Sequence, residues 1–169
     1  MSTDESARSP LQLARRVVPA ALLCVIASAT VRPQSAPLED LGKFPQTTLE
    51  IKSDTAIHRF SVWVADTPTR QEQGLMFVRD LPADRAMLFV HCCSGIWMKN
   101  TYIELDVVFV GADGRILKIA PRARPFDETT ISPGGVAEEV VELKGGTAAA
   151  LGIRQGDRVS WHTPYAPGS

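Results

Sequence analysis

Trp97, Lys99, Asn100 and Asp106 bring an aromatic ring, a cation, an amide and a carboxylate into one short stretch. Such a set can grip a polar ligand, with the ring as platform and the amide and charged groups as directional contacts. Arg70 is a further candidate contact. The same set can do acid–base chemistry if Asp106 reaches a substrate, with Glu72, Glu104 or Lys99 assisting. A plainer reading stands beside both. Asn100 is then a turn former, Trp97 a core aromatic, Lys99 a partner of Asp106 or a surface cation, and Asp106 the anchor of the 100–104 turn.

The element that must position Asp106 is the apolar run 105–110. By period two, Leu105, Val107 and Phe109 share one strand face, and Asp106, Val108 and Val110 share the other. Both faces are apolar except at Asp106, so the strand is covered on both sides. Burying a bare carboxylate costs several kcal/mol or forces protonation, so Asp106 needs a partner. Lys99, Arg79, Arg70 and the backbone N–H groups of the 100–104 turn are the candidates.

Around that run the chain reads as many short strands. Residues 47–51, 59–65, 86–90, 96–99, 105–110, 115–120, 136–143 and 158–162 have strand character, and 111–114 (Gly-Ala-Asp-Gly) closes a hairpin. Thr67 as N-cap and Pro68 as first helical residue start a short helix that Gly74 ends. Thr147 caps a single helical turn through Leu151 that Gly152 ends. Residues 121–135 form a long polar loop with three prolines, the usual form of a binding loop or a disordered one. The fold class expected is mainly β, a single antiparallel sandwich or partly open barrel with one or two short helices.

The amino terminus reads as a secretory signal over 1–29. It has a basic region (Arg8, Arg15, Arg16), an apolar run over 17–29 too short to span a bilayer, and Ala27-Ser28-Ala29 as cleavage site. An uncleaved anchor is the alternative. Residues 30–45 form a linker, 46–164 a single β domain, and 165–169 a tail. Cleavage takes three basic and two acidic residues (Asp4, Glu5) from 18 Lys+Arg and 19 Asp+Glu, leaving a formal charge of −2. Neither nucleic acid nor an anionic membrane surface is the expected partner of such a domain. A periplasmic or secreted monomer follows, with a small polar ligand, a glycan or a peptide as partner.

Cleavage also leaves Cys92 and Cys93, adjacent in sequence. Neighbouring Cα atoms lie ~3.8 Å apart, closer than the ~4.4–6.8 Å of relaxed disulfides, so two free thiols are expected, or at most a bridge that mild reductant opens easily. His91, Cys92 and Cys93 with Met76, Met87 and Met98 form a set that suits a soft metal. The methionines sit in apolar segments where they fill core gaps, so no metal or other cofactor is expected. There is no nucleophile elbow, phosphate-binding glycine loop, dinucleotide fingerprint or paired-His zinc motif.

Three blocks add a resemblance: Gly74-Leu75-Met76, then Met87-Leu88-Phe89, then Trp97-Met98-Lys99-Asn100-Thr101 followed by Leu105-Asp106. In that order and spacing, from about Thr48 to Val159, the chain resembles the uncharacterised bacterial and archaeal family known as domain of unknown function 192. The resemblance implies a compact, mostly β domain of sandwich or barrel type, often exported, and no particular activity. This chain departs from the family pattern at Gln71 (commonly Arg), Ala86 (often Gly) and Glu104 (often Pro). Two classes of function follow from the sequence. One is an exported, non-catalytic binding module with Trp97, Lys99, Asn100, Asp106 and Arg70 as its contacts. The other is a hydrolase-like enzyme with Asp106 as general acid or base.

Overall fold

Alternation along the chain becomes seven strands of one sheet in the computed structural model, which describes residues 38–92 and 94–162. The expected signal segment with its cleavage site and the expected 165–169 tail lie outside the described residues. The strands are β1 (Gln46–Lys52), β2 (Ile57–Ala65), β3 (Arg85–Val90), β4 (Leu105–Val110), β5 (Ile116–Ala123), β6 (Glu139–Lys144) and β7 (Arg158–Trp161). Two short helices accompany them, α1 (Pro68–Gln73) and α2 (Thr147–Leu151). In space the strands run β5-β4-β6-β3-β2-β1-β7. Every neighbouring pair is antiparallel except β2 and β3, which are parallel. A parallel pair needs a crossover, and the segment between them, containing α1, supplies it.

The two edges of the sheet curl toward each other. Arg115 bridges Arg158. The Ile116 N–H donates to the Asp157 carbonyl at 2.9 Å, and the Val159 N–H to the Gly114 carbonyl at 2.7 Å. A curled half-barrel results, within the class expected from the sequence. Pairing at that corner also removes part of the edge that would otherwise recruit another strand.

Each face of the sheet has its own apolar layer. Val62, Val64, Leu88, Val108, Val110, Val141 and Leu143 belong to one, together with Ala148 of α2. Met87, Phe89, Leu105, Val107, Phe109 and Val140 belong to the other, where Leu75, Ile96 and Met98 cover them. All six residues of β4 are buried, as its two apolar faces require.

Several local expectations change. Residues 96–99 do not form a strand; Ile96 alone bridges Ile131, exchanging N–H···O bonds of 3.0 and 2.7 Å. The long loop therefore lies down against this segment and ties it in place. Residues 136–138 stay outside β6, and β5 extends to Ala123. Gly146, with φ of 89°, stands at the N-cap of α2, and no side chain of the helix caps it. Cys92 is disulfide-bonded. That corrects the expectation of two free thiols, because close spacing sets a cost on one pairing and does not forbid a bond.

Candidate ligand-binding cleft

Asp106 lies in β4 with no exposed surface. Its Oδ1 accepts from the backbone N–H of Arg122 at 2.8 Å and of Gly146 at 2.9 Å, and its Oδ2 accepts from the Ala148 N–H at 2.8 Å. The carboxylate therefore does the capping for α2 that its own first residues do not, and it fastens β5 to the same point. None of the partners foreseen from the sequence is used: not Lys99, Arg79, Arg70 or the 100–104 turn. The need for a partner was legible, but these three donors come from distant parts of the chain. With both oxygens engaged behind the sheet, Asp106 is held away from the cleft described next.

That cleft, of about 90 Å³, opens between α1 with the turn after it and the 95–101 segment. Residues 71–76 form one wall, and Gly95, Ile96, Trp97, Lys99 and Thr101 the other; Phe89 and Glu142 lie between them. Gln71 anchors the first wall through Nε2, which donates to the carbonyls of Val90 at 2.8 Å and Ala65 at 3.2 Å. Gln73 clamps the backbone of Glu39 from both ends of its amide, each bond 2.7 Å. The second wall is tied down at Gly95, where an added Cβ would lie 2.5 Å from Thr130 and 3.1 Å from the Ile131 carbonyl. Glycine makes that approach without displacing either neighbour.

Asn100 joins the two walls. Its φ of 54° is the left-handed turn its residue type suggested. Its carbonyl accepts from the Phe77 N–H at 2.9 Å, and its amide reaches the Met76 sulfur at 3.8 Å. Trp97 is 44% exposed at the rim. The Lys99 ammonium sits 5.1 Å from its ring centroid, a cation–π contact and not an ion pair with Asp106. Arg70 faces away from the cleft. Its guanidinium forms a fork on Glu39, with both bonds 3.0 Å, and reaches Asp66 at 2.8 Å.

The residue that sequence reasoning missed is Glu142. It is 4% exposed in the middle of β6, opposite Met87 on one side and Val107 on the other. Its Oε2 is buried without any hydrogen-bond partner, the only such side-chain atom among the described residues. Burial in this apolar layer pushes its carboxyl up to about 8, so the group is largely protonated at neutral pH. A signal for it existed, since Val140-Val141-Glu142-Leu143 places a lone carboxylate inside an apolar run as surely as Asp106 does. Among the described residues no group of three His, Cys, Asp or Glu side chains is placed to hold a metal ion.

Comparison with known proteins adds one decisive match. The family model described as "Uncharacterized ACR", domain of unknown function 192, matches residues 49–161. The chain belongs to this family. A solved structure of a protein of unknown function from Novosphingobium aromaticivorans shares 35% identity, covers 74% of this chain and 91% of its own, and superposes with a TM-score of 0.70. A second, from Sinorhizobium meliloti and described with a proposed role as a transcription regulator, shares 34% identity. It covers 70% of this chain and 95% of its own, with a TM-score of 0.67. No curated protein matches the chain.

Two of the blocks that carry the resemblance to domain of unknown function 192 contribute to the walls of the cleft. Gly74, Leu75 and Met76 lie on one side, and Trp97, Lys99 and Thr101 on the other. The departures from the family pattern also find places. Gln71 pins α1 to the ends of β2 and β3, Ala86 is fully buried, and Glu104 pairs with Arg122 at 2.9 Å.

Proposed function

We propose that this chain is a small binding module whose cleft, floored by Glu142 and walled by Trp97 and Lys99, takes a polar ligand. The observation that carries the reading is the unpartnered Oε2 of Glu142 in the cleft. A buried polar atom without a partner costs about 1–3 kcal/mol, and a bound ligand could remove that cost. Asn100 serves by holding the walls together and Asp106 by holding the sheet behind them, while Trp97 and Lys99 are the contacts. The N-terminal signal order supports export to the periplasm or beyond, where the ligand would be met. The formal charge of −2 left after cleavage gives no support to nucleic acid as the partner.

A thermal-shift screen tests the reading, with glycans, small metabolites and short peptides presented to the wild type and to Glu142→Leu. Ligands that bind the folded state raise Tm by mass action. Some compounds should raise it in the wild type and leave Glu142→Leu unmoved. A screen in which no class separates the two proteins would count against the cleft.

A hydrolytic reading is favoured by one feature of the same residue. A carboxyl kept protonated near neutrality is suited to donating a proton, and Glu72 supplies a second carboxylate in the cleft. On this reading Glu142 takes the role first given to Asp106. Turnover lost in Glu142→Gln with binding retained would mark it.

A further inference from the structure

We infer that the cleft receives the head group of an organic cation, an ammonium or a guanidinium, with Glu142 as its counter-ion and Trp97 as its wall. The inference rests on the cleft being a ligand site and names the ligand's chemical class. Three observations support it.

The first is what the lining leaves over. The Gln71 amide nitrogen is spent on two carbonyls, and both ends of the Gln73 amide are spent on Glu39. The Thr101 hydroxyl donates to the Lys99 carbonyl at 3.3 Å. The ionisable side chains left to meet an incoming molecule are the carboxyls of Glu142 and Glu72 and the Lys99 ammonium, beside the neutral Gln71 amide oxygen and Trp97 indole N–H. Two acids against one base favour a cation once Glu142 ionises.

The second is the ring. Trp97 already carries a cation on its face, the Lys99 ammonium at 5.1 Å, and among the described residues Lys99 makes no ion pair. Lys99 thus behaves as a resident occupant that an external cation would displace. Aromatic rings paired with carboxylates are the recurrent recognition chemistry for such cations.

The third is size. About 90 Å³ is well below the ~300–1,000 Å³ of pockets that enclose a whole small ligand, so it suits a head group alone. The rest of the molecule would lie outside, past the exposed Trp97.

Binding on these terms moves a proton. The groups facing Glu142 are Met87 and Phe89 from β3, Val107 from β4, Val140 from its own strand, Gly74 and Leu75 after α1, and the rim residues Glu72, Trp97 and Lys99. Only Glu72 and Lys99 among them titrate. Neither offsets the burial that raises the Glu142 carboxyl. A cation set against the carboxyl favours the charged form, so the Glu142 proton leaves to solvent as the ligand enters.

The experiment is calorimetric titration of the full chain with n-butylammonium and n-butylguanidinium. Butyrate and butanol are the isosteric controls, and N-acetyl-lysine amide and a lysine-containing peptide separate a free amine from a lysine side chain. The cations should bind, with affinity rising by up to about tenfold per pH unit below pH 8 and levelling above it. Buffer-dependent enthalpies should show up to one proton released. Glu142→Gln should weaken binding at least tenfold, and Lys99→Met should tighten it. If butyrate binds with affinity falling as pH rises, or butanol binds without pH dependence, the cation is wrong and the cleft stands. If none of these probes binds, and the broader screen fails as well, both fall.

Discussion

Asp106 stands opposite Leu143 and Val107 opposite Glu142, so two buried carboxylates lie one register step apart on adjacent strands and face opposite sides of the sheet. Their surroundings divide their roles. Asp106 receives three backbone N–H groups, while the buried oxygen of Glu142 receives none. The first acid is a fastener that the fold has fully satisfied. The second is exposed only to the cleft, and its unmet hydrogen-bonding capacity is available to a visitor.

Asp106→Asn should therefore destabilise the protein. The amide keeps one acceptor oxygen but turns an N–H toward a backbone N–H, and the charge that strengthened all three bonds is gone. A loss of about 1–3 kcal/mol in denaturant unfolding is expected. Equal or greater stability in the variant would show that the three bonds do not carry the role given to them.

Much of the frame was readable from the sequence because its signals are local. The alternation in β2, the Gly-Ala-Asp-Gly hairpin between β4 and β5, and the Thr67–Pro68 start of α1 each sit within a few residues. The Thr67 hydroxyl does accept from the Arg70 N–H, at 3.3 Å. What stayed hidden is non-local. The partners of Asp106 lie 16, 40 and 42 residues away, and no pattern in 105–110 points to them. The parallel β2–β3 pair is likewise a matter of how the crossover runs. Glu142 is different: its apolar flanks, Val140, Val141 and Leu143, were in plain sight.

Arg70 should prove a structural tie. Its fork on Glu39, its bond to Asp66 and its place 5.2 Å over the Phe44 ring hold the chain before β1 against α1. Chiefly through the Arg70 hydrogen bond, the Glu39 carboxyl is held below its ordinary range. A depressed carboxyl contributes stability that is present above its unfolded pKa and lost as pH falls through the folded one. Arg70→Lys should lower Tm by a few degrees near neutrality, since a point charge cannot reproduce the fork. It should also flatten the acid side of the stability profile. Thermal melts of both proteins across pH 3–7 check this, and ligand responses in the screen should survive the change.

Gly95→Ala should disturb the cleft from behind. The new Cβ would press on Thr130 and on the Ile131 carbonyl, which belongs to the bridge with Ile96. Overpacking of this kind costs about 1–3 kcal/mol. Gly135→Ala is the control, since nothing lies within 4 Å of its added Cβ. Hydrogen exchange should show the Ile96 and Ile131 amides losing protection in the first variant and keeping it in the second.

The pH dependence of stability offers the most direct test of Glu142 itself. Its carboxyl is raised from an ordinary 4.5 to about 8 by burial, with no charge nearby to offset it. Between those values the unfolded chain releases a proton that the folded chain keeps. Stability must then fall as pH rises through this window, by up to about 1.4 kcal/mol per unit, and level off above it. Below the unfolded pKa both states hold the proton and the effect vanishes. Glu142→Gln keeps the shape and removes the titration, so its stability should stay flatter from pH 5 to 8 and exceed the wild type most at the alkaline end. Glu142→Leu should be more stable still, because it also removes the unpaired oxygen from the apolar layer. Urea unfolding of the three proteins at pH 5, 6.5 and 8 decides the matter. Parallel profiles for wild type and Glu142→Gln would mean that the carboxyl ionises freely in the folded state, reached by solvent or a partner that the static structure does not show.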